Sequence, residues 1–200
     1  MNITTIIFDL NETVVSLKLE DSTNRYLEQI GVQKLTLWKA VGVHWPGFET
    51  GQFGQEELLN RAFTDLHLDC SLVPLALEFI YDDIILVEGI EEILASLHGR
   101  YRLLMLAGDG EDFLNKKLEK FNLRHYFEKI YCTCYEGLRK FDAQIFQNLL
   151  TEEQLNPSEC LYVDDRVEFV HNALDTGMNS ISFLNVEQLK RELQKFAIFV

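Results

Sequence analysis

Apolar positions along the chain follow two rhythms. Short unbroken runs of branched and aromatic residues occur at 6–8 (IIF), 101–106 (YRLLML), 129–135 (KIYCTCY), 160–163 (CLYV) and 179–184 (NSISFL). Runs of this kind between turn-rich stretches predict buried strands. Elsewhere the spacing lengthens to three and four. Phe113, Leu114, Leu118 and Phe121 share one face of EDFLNKKLEKF, and Ile145, Phe146, Leu149 and Leu150 share one face of DAQIFQNLL. VEGIEEILASL (87–97) and NVEQLKRELQKF (185–196) read as further amphipathic helices. Strands alternating with helices at this spacing imply parallel strands joined by crossovers. The expected class is therefore α/β, a Rossmann-like parallel sheet flanked by helices.

Residues 16 to 86 interrupt the alternation. STNRYLEQI, QKLTLWKAV, QEELLNRAFTDL and LVPLALEFIYDDI all have helical periodicity, and no clear strand lies among them. The pattern predicts an α-helical cap inserted after the first strand: a core from 1–15 and 87–200, and a cap from 16–86. With three prolines and no low-complexity stretch, no linker separates independent domains. HWPGF (44–48) reads as a turn ending a helix, because Pro46 and Gly47 punctuate it. NKKLEK (115–120) reads as the wet face of a helix.

Composition narrows the partners. The 200 residues are 47% hydrophobic, enough for a sizeable core. Thirty-two acidic against eighteen basic side chains give a net charge of −14. That balance argues against a nucleic-acid backbone or an anionic membrane as main partner. It also repels an anionic substrate at long range, so a phosphate site needs local cations or a metal. LVPLALEFIYDDIIL is broken by Glu78 and by Asp82–Asp83, so no run spans a bilayer. MNITTIIFD has no basic region ahead of a long apolar stretch, so a secretory signal is not expected and a cytoplasmic location is. Of the four cysteines, Cys132 and Cys134 have the spacing of one strand face, while Cys70 and Cys160 stand apart. With no second pair at zinc-finger spacing, reduced buried thiols are expected.

The chemistry gathers where strands end. In open parallel sheets, ligands bind beyond the carboxyl ends of the strands. Three predicted strands end in polar residues: Asp9, then Gly108–Asp109–Gly110, then Asp164–Asp165. The loop after a fourth supplies Arg139 and Lys140. Taken singly, an aspartate closing a strand is often a turn residue or helix cap, and a lysine is mostly solvated. Two adjacent anions at the end of a buried strand, however, call for a counter-charge. Carboxylates and a lysine on one edge suit a divalent cation and a phosphate. One or two carboxylates plus substrate phosphate are the usual ligands of Mg²⁺.

IIFDLNETVV, LLMLAGDG, GLRKFDAQIF and CLYVDDRVEFVHNALDTGMNSI resemble, in order and spacing, the four motifs of the haloacid dehalogenase-like hydrolase superfamily. FETGQFGQEEL is similar to a stretch common in its small-molecule phosphatases with an α-helical cap. The resemblance implies Mg²⁺-dependent hydrolysis of a small phosphorylated metabolite. It implies Asp9 as the nucleophile that takes the phosphoryl group, and the backbone carbonyl of Asn11 as a metal ligand. Lys140 would neutralise the crowded carboxylates and the phosphate, and Asp165, with Asp164 beside it, would complete the Mg²⁺ site. Ala107 and Gly108 fall where the family binds a phosphate oxygen. A metal at such a site shields one anion attacking another.

The chain departs from that pattern in three places. Asn11 stands where the family has an aspartate acting as general acid and base, a role worth about 10²–10⁴-fold. Ala107 and Gly108 replace the serine or threonine that binds phosphate; a hydrogen bond to a charged group contributes about 1.5–3 kcal/mol. Phe169, next to Glu168, occupies a position where asparagine or aspartate is common. Two rival readings follow. One is a metal-free 2-haloacid dehalogenase, since some relatives carry NET after the nucleophile, although Asp164–Asp165 argues against it. The other is a catalytically inactive member with a binding or regulatory role. The cap would cover the site and select the substrate, with Trp38, His44, Trp45 and Arg61 as candidates. Trp38, at helical spacing with Leu35, reads first as core, and His44 as a surface or interface residue. The remaining histidines show no metal-ligand spacing, and neither the substrate nor the oligomeric state has a residue signature.

Overall fold

The computed structural model describes residues 2–17 and 22–200. Residues 18–21, near the start of the expected insertion, lie outside the described residues.

The first apolar run forms β1 (Thr5–Phe8), and β2 (Val15–Leu17) follows. Four helices come next: α1 (Ser22–Gln29), α2 (Lys34–Glu49), α3 (Gln55–Asp65) and α4 (Val73–Asp82). After β3 (Ile84–Leu86), the chain alternates through α5 (Ile90–Leu97), β4 (Arg102–Ala107), α6 (Glu111–Lys120) and β5 (Lys129–Cys132). It continues with α7 (Thr133–Glu136), α8 (Ala143–Glu152), β6 (Cys160–Asp164), α9 (Val167–Asp175), β7 (Asn179–Ser182) and α10 (Val186–Lys195). The main sheet has the order β5-β4-β1-β6-β7, and every pairing in it is parallel. β1 is central. Phe8 pairs with Met105 on one side and Val163 on the other, so Asp9 leaves the sheet between the ends of β4 and β6. The strand order changes direction at β1, which is where such sheets open a crevice.

Strand alternation sets the two faces of the core. Ile6 and Phe8 join Leu103, Met105, Leu161 and Val163 in the larger apolar cluster, which also takes in α5, α6, α10 and much of the helical segment. Ile7, Leu104, Leu106 and Tyr162 face the other way, against Ile145, Phe146 and Leu149 of α8 and Phe169 and Ala173 of α9. Within the helical segment, α2 packs on α3, α3 on α4, and α1 on α4. Aromatic rings join this segment to the sheet domain: Phe113 lies 6.4 Å from Phe48 and 5.5 Å from Tyr81. Phe48 sits so close to Gly110 that a Cβ there would lie 2.2 Å from its ring. Among the described residues, no helix is long and apolar enough to cross a membrane.

Several expectations need correction. Residues 16–86 do contain strand: β2 and β3 pair antiparallel, Val15 with Leu86 and Leu17 with Ile84. HWPGF does not end its helix. α2 runs through Pro46 to Glu49, because burial of Phe48 fixes the last turn despite the donor that proline lacks. Thr50 Oγ1 then donates to the carbonyl of Pro46 at 2.7 Å. CTC is not one strand face, since β5 ends at Cys132 and α7 begins at Thr133. Nor are all the thiols buried: Cys70 is exposed and Cys134 is half-buried. Lys117, expected on a wet helix face, is buried with Phe113, Leu114 and Leu118.

Candidate active site

The carboxyl ends of β1, β4 and β6 bring the expected residues to one edge. The Asp9 N–H donates to the carbonyl of Val163 at 2.8 Å, which ties the first residue after β1 to β6. Asp9, Lys140 and Asp164 are 4%, 2% and 0% exposed, so their charges face one another rather than water. The Lys140 ammonium donates to Asp9 Oδ1 and, at 2.9 Å, to Asp164 Oδ2. Asp164 is otherwise committed. The Tyr162 hydroxyl donates to its Oδ2, and the Arg166 N–H donates to its Oδ1 at 2.8 Å. Asp165 is half-buried beside it.

One carboxylate oxygen from each of Asp9, Asp164 and Asp165 lies within 4.8 Å of the other two. Three hard oxygen donors converging in this way fit Mg²⁺. Burial pushes the Asp9 carboxyl up to about 7, against the pull of Lys140 and with help from Asp164. Burial and then Asp164 push Asp165 up to about 6. Burial alone would lower Lys140, but Asp164 and Asp9 hold it above its ordinary value. The cluster sets three carboxylates against one ammonium, the electrostatic condition for drawing in a divalent ion.

Phe169 covers this lysine where the family pattern has a polar side chain. Its ring centre lies 5.5 Å from Lys140 Nζ, and the Asn172 side chain holds the Lys140 carbonyl at 2.9 Å. Both residues belong to α9, which thereby fixes the position of Lys140.

The loop after β4 behaves differently from the simple expectation. Ala107 is buried and has no hydroxyl to offer, and Gly108 lines the cavity. Asp109, which would repel an anion held near Gly108, is paired with Lys117 at 2.6 Å. Lys117 also donates to the side-chain oxygen of Asn11 at 2.8 Å. The Asn11 amide in turn reaches Gly108 O and Asp109 Oδ2, both at 3.4 Å. Glu12 has φ 59° and turns its carboxylate to Ser16 Oγ at 2.8 Å and the Leu17 N–H at 3.2 Å.

Two cavities meet here. The first, about 230 Å³, holds Asp9, Lys140, Asp164 and Asp165, with Asn11, Gly108 and Trp45 also on its wall. Glu49 of α2 and Arg139 close over it as an ion pair. The second, about 360 Å³, is walled by Val15, Leu17, Trp38, Trp45, Ile84 and Phe113, with Lys34 and Lys117 among its polar lining. Asn11, Glu12 and Trp45 line both. Trp38 is therefore a half-buried cavity wall rather than sealed core. His44 pairs with Asp65 at 2.8 Å, and Arg61 pairs with Glu57 and stacks on Phe53; neither lines these two cavities.

Sequence reasoning missed Glu49 and Lys117. Lys117 left a signal, falling four residues after Phe113 and three after Leu114, on the apolar face of its helix. Glu49 left only its place in FETGQFGQEEL.

Several known proteins are similar to this chain. Flavin mononucleotide hydrolase 1 of Arabidopsis thaliana is 27% identical over 156 residues, 78% of this chain and 63% of that protein. A drimenol cyclase of Aspergillus calidoustus is 22% identical over 153 residues, 74% of this chain and 29% of that protein. The chain thus spans less than two thirds of either relative. Among solved structures, a HAD family enzyme from Bacteroides thetaiotaomicron in complex with magnesium and inorganic phosphate matches with a TM-score of 0.72 and 15% identity. The match covers 92% of this chain and 96% of that one. L-2-haloacid dehalogenase from Xanthobacter autotrophicus matches with a TM-score of 0.71 and 20% identity, over 96% and 83% of the two chains. At these identities the structural likeness is one of fold. The model of the haloacid dehalogenase-like hydrolase family matches residues 3–168, and with its parallel sheet and ordered motifs the chain belongs to that family.

Proposed function

We propose that the protein is an Mg²⁺-dependent phosphomonoester hydrolase acting through Asp9, on substrates whose alcohol part carries a flat apolar group. The observation that carries this reading is the convergence of Asp9, Asp164 and Asp165 within 4.8 Å around a single buried lysine. Asp9, Asp164, Asp165 and the Asn11 carbonyl would hold Mg²⁺, which when bound neutralises charge on the phosphoryl oxygens. An Asp9 oxygen attacks phosphorus as the ester oxygen departs, leaving an aspartyl-phosphate. Water then releases inorganic phosphate and restores Asp9. Lys140 orients Asp9 and adds positive charge beside the phosphoryl group.

Asn11 supplies no proton to the departing oxygen. Turnover therefore depends strongly on how well the leaving group carries its own charge, and aryl phosphates outrun simple alkyl ones. The helical segment acts as a cap that closes the first cavity through the Glu49–Arg139 pair and offers the second to the rest of the substrate. Trp38, Trp45 and Phe113 favour a planar body there. The Arabidopsis relative, by its name a flavin mononucleotide hydrolase, supports a substrate of this shape.

The test is phosphate release from an aryl phosphate and from flavin mononucleotide, with and without Mg²⁺. Asp9→Asn is expected to lower both rates by at least about 10²-fold. Equal rates in wild type and variant would sink the reading. Trp38→Ala is expected to raise KM for the flavin ester while leaving a small aliphatic phosphate unaffected.

A further inference from the structure

β5 ends at Cys132, and the chain turns at once into α7, which brings Cys134 back toward it. Cys134 Sγ lies 2.8 Å from Cys132 Sγ. A disulfide bond is about 2.0 Å long, so less than one ångström of approach separates this pair from bonding. The two thiols differ in access. Cys132 is buried, and its Sγ–H donates to the Asp109 carbonyl at 3.0 Å. Cys134 is half-buried and lines a surface cleft of about 450 Å³ together with Gly51, Glu111 and Tyr135. They also differ in acidity. The contact with Cys132 draws the Cys134 thiol below its ordinary value, while the same contact and burial drive Cys132 up. An accessible, more acidic thiol beside a buried partner is the arrangement of a peroxide-reactive pair.

We propose that Cys132 and Cys134 form a peroxide-reactive dithiol, with Cys134 as the attacking thiol and Cys132 as the resolving one. The Cys134 sulfur attacks one oxygen of hydrogen peroxide, the O–O bond breaks, and the departing hydroxide takes a proton to leave as water. Cys134 becomes a sulfenic acid. Cys132 attacks that sulfur, the S–S bond forms, and the hydroxyl leaves with the Cys132 proton as a second water. Two thiols give up two electrons and one peroxide accepts them. Closing the bond removes the shorter of two donors to the Asp109 carbonyl, in the loop that also carries Gly108, and leaves the Thr133 hydroxyl at 3.5 Å. Cys70 is more exposed, but its Sγ contacts Thr64 and Asn60 rather than another thiol.

The experiment treats the native full chain with hydrogen peroxide and reads its intact mass. Wild type is expected to lose the mass of two hydrogen atoms, to regain it with dithiothreitol, and to show a Cys132–Cys134 link by peptide mapping. Cys132→Ser is expected to stop at a dimedone-reactive sulfenic acid on Cys134. Cys134→Ser is expected to form no link. Oxygen addition to wild type without loss of two hydrogens overturns the proposal, and so does a loss of two hydrogens that persists in Cys134→Ser. The wild-type result stands whether or not either variant folds.

Discussion

Lys117 donates a hydrogen bond to the side-chain oxygen of Asn11 at 2.8 Å, across 106 positions of the chain. The same ammonium lies 2.6 Å from Asp109 Oδ2, and both members of this ion pair are buried. Removing one partner of a buried pair strands the other charge, which costs about 3–5 kcal/mol. Lys117→Met is therefore expected to lower stability by about that amount. Adding Asp109→Asn to the same chain should recover most of the loss. Urea denaturation of the single and double variants measures both, and a neutral Lys117→Met would show that the pair does not hold the β4 loop.

Asp164 and Asp165 are neighbours with different work. Both line the first cavity, but Asp164 also accepts from Lys140, Tyr162 and the Arg166 N–H. Asp164→Asn is expected to lower the thermal midpoint and to weaken the shift expected with Mg²⁺, and Asp165→Asn to leave the midpoint nearly unchanged while weakening that shift. The shift also has a pH signature. Asp9 and Asp165 titrate at about 7 and about 6, above their ordinary values. The metal-free folded protein thus takes up protons and gains stability as pH falls through that window. On the proposed function Mg²⁺ would bind the ionised carboxylates, so its stabilisation would grow as pH rises. Thermal shifts across an Mg²⁺ titration should be larger at about pH 8 than at about pH 6; the reverse order would contradict the site.

Away from the site, Glu153 predicts an acid limb. Burial opposes its charge, but Lys129 at 2.8 Å, the Tyr131 hydroxyl and Arg102 hold its carboxyl down at about 2, below an ordinary 4.5. Because the folded carboxyl titrates below the unfolded one, its contribution is complete above about pH 4.5 and disappears as pH falls toward 2. Glu153→Gln is expected to be less stable than wild type at neutral pH and to lose less between those limits. Unfolding free energy against pH, measured for both, checks the sign.

Much of this geometry is visible in the residues because strand ends are local features. Asp9 and Asp164–Asp165 each terminate an apolar run, and Lys140 follows another by a few positions, so periodicity places them on one edge. Contacts made across long separations are not visible in that way. Glu49 meets Arg139 at a distance of 90 positions, and no local rhythm encodes that meeting. β2 and β3 have three residues each, too few for alternation to show, and they exist because they pair with one another. α9 does not stand out in the residues of its motif, since exposed Val167 and Leu174 blur the stripe of Phe169, Val170 and Ala173. Pro46 misled for the opposite reason. A local stop signal was present, and packing of Phe48 overrode it.

The missing side chain at Gly110 gives the molecule a single-atom wedge point. Phe48 fills the space a methyl group would need, and that ring couples the helices after β2 to the start of α6. A bulkier residue at 110 must pry the two apart before anything else gives way. The strain would not stop at the rings, because the Gly110 N–H donates at 3.0 Å to the Asp109 carboxylate that Lys117 holds.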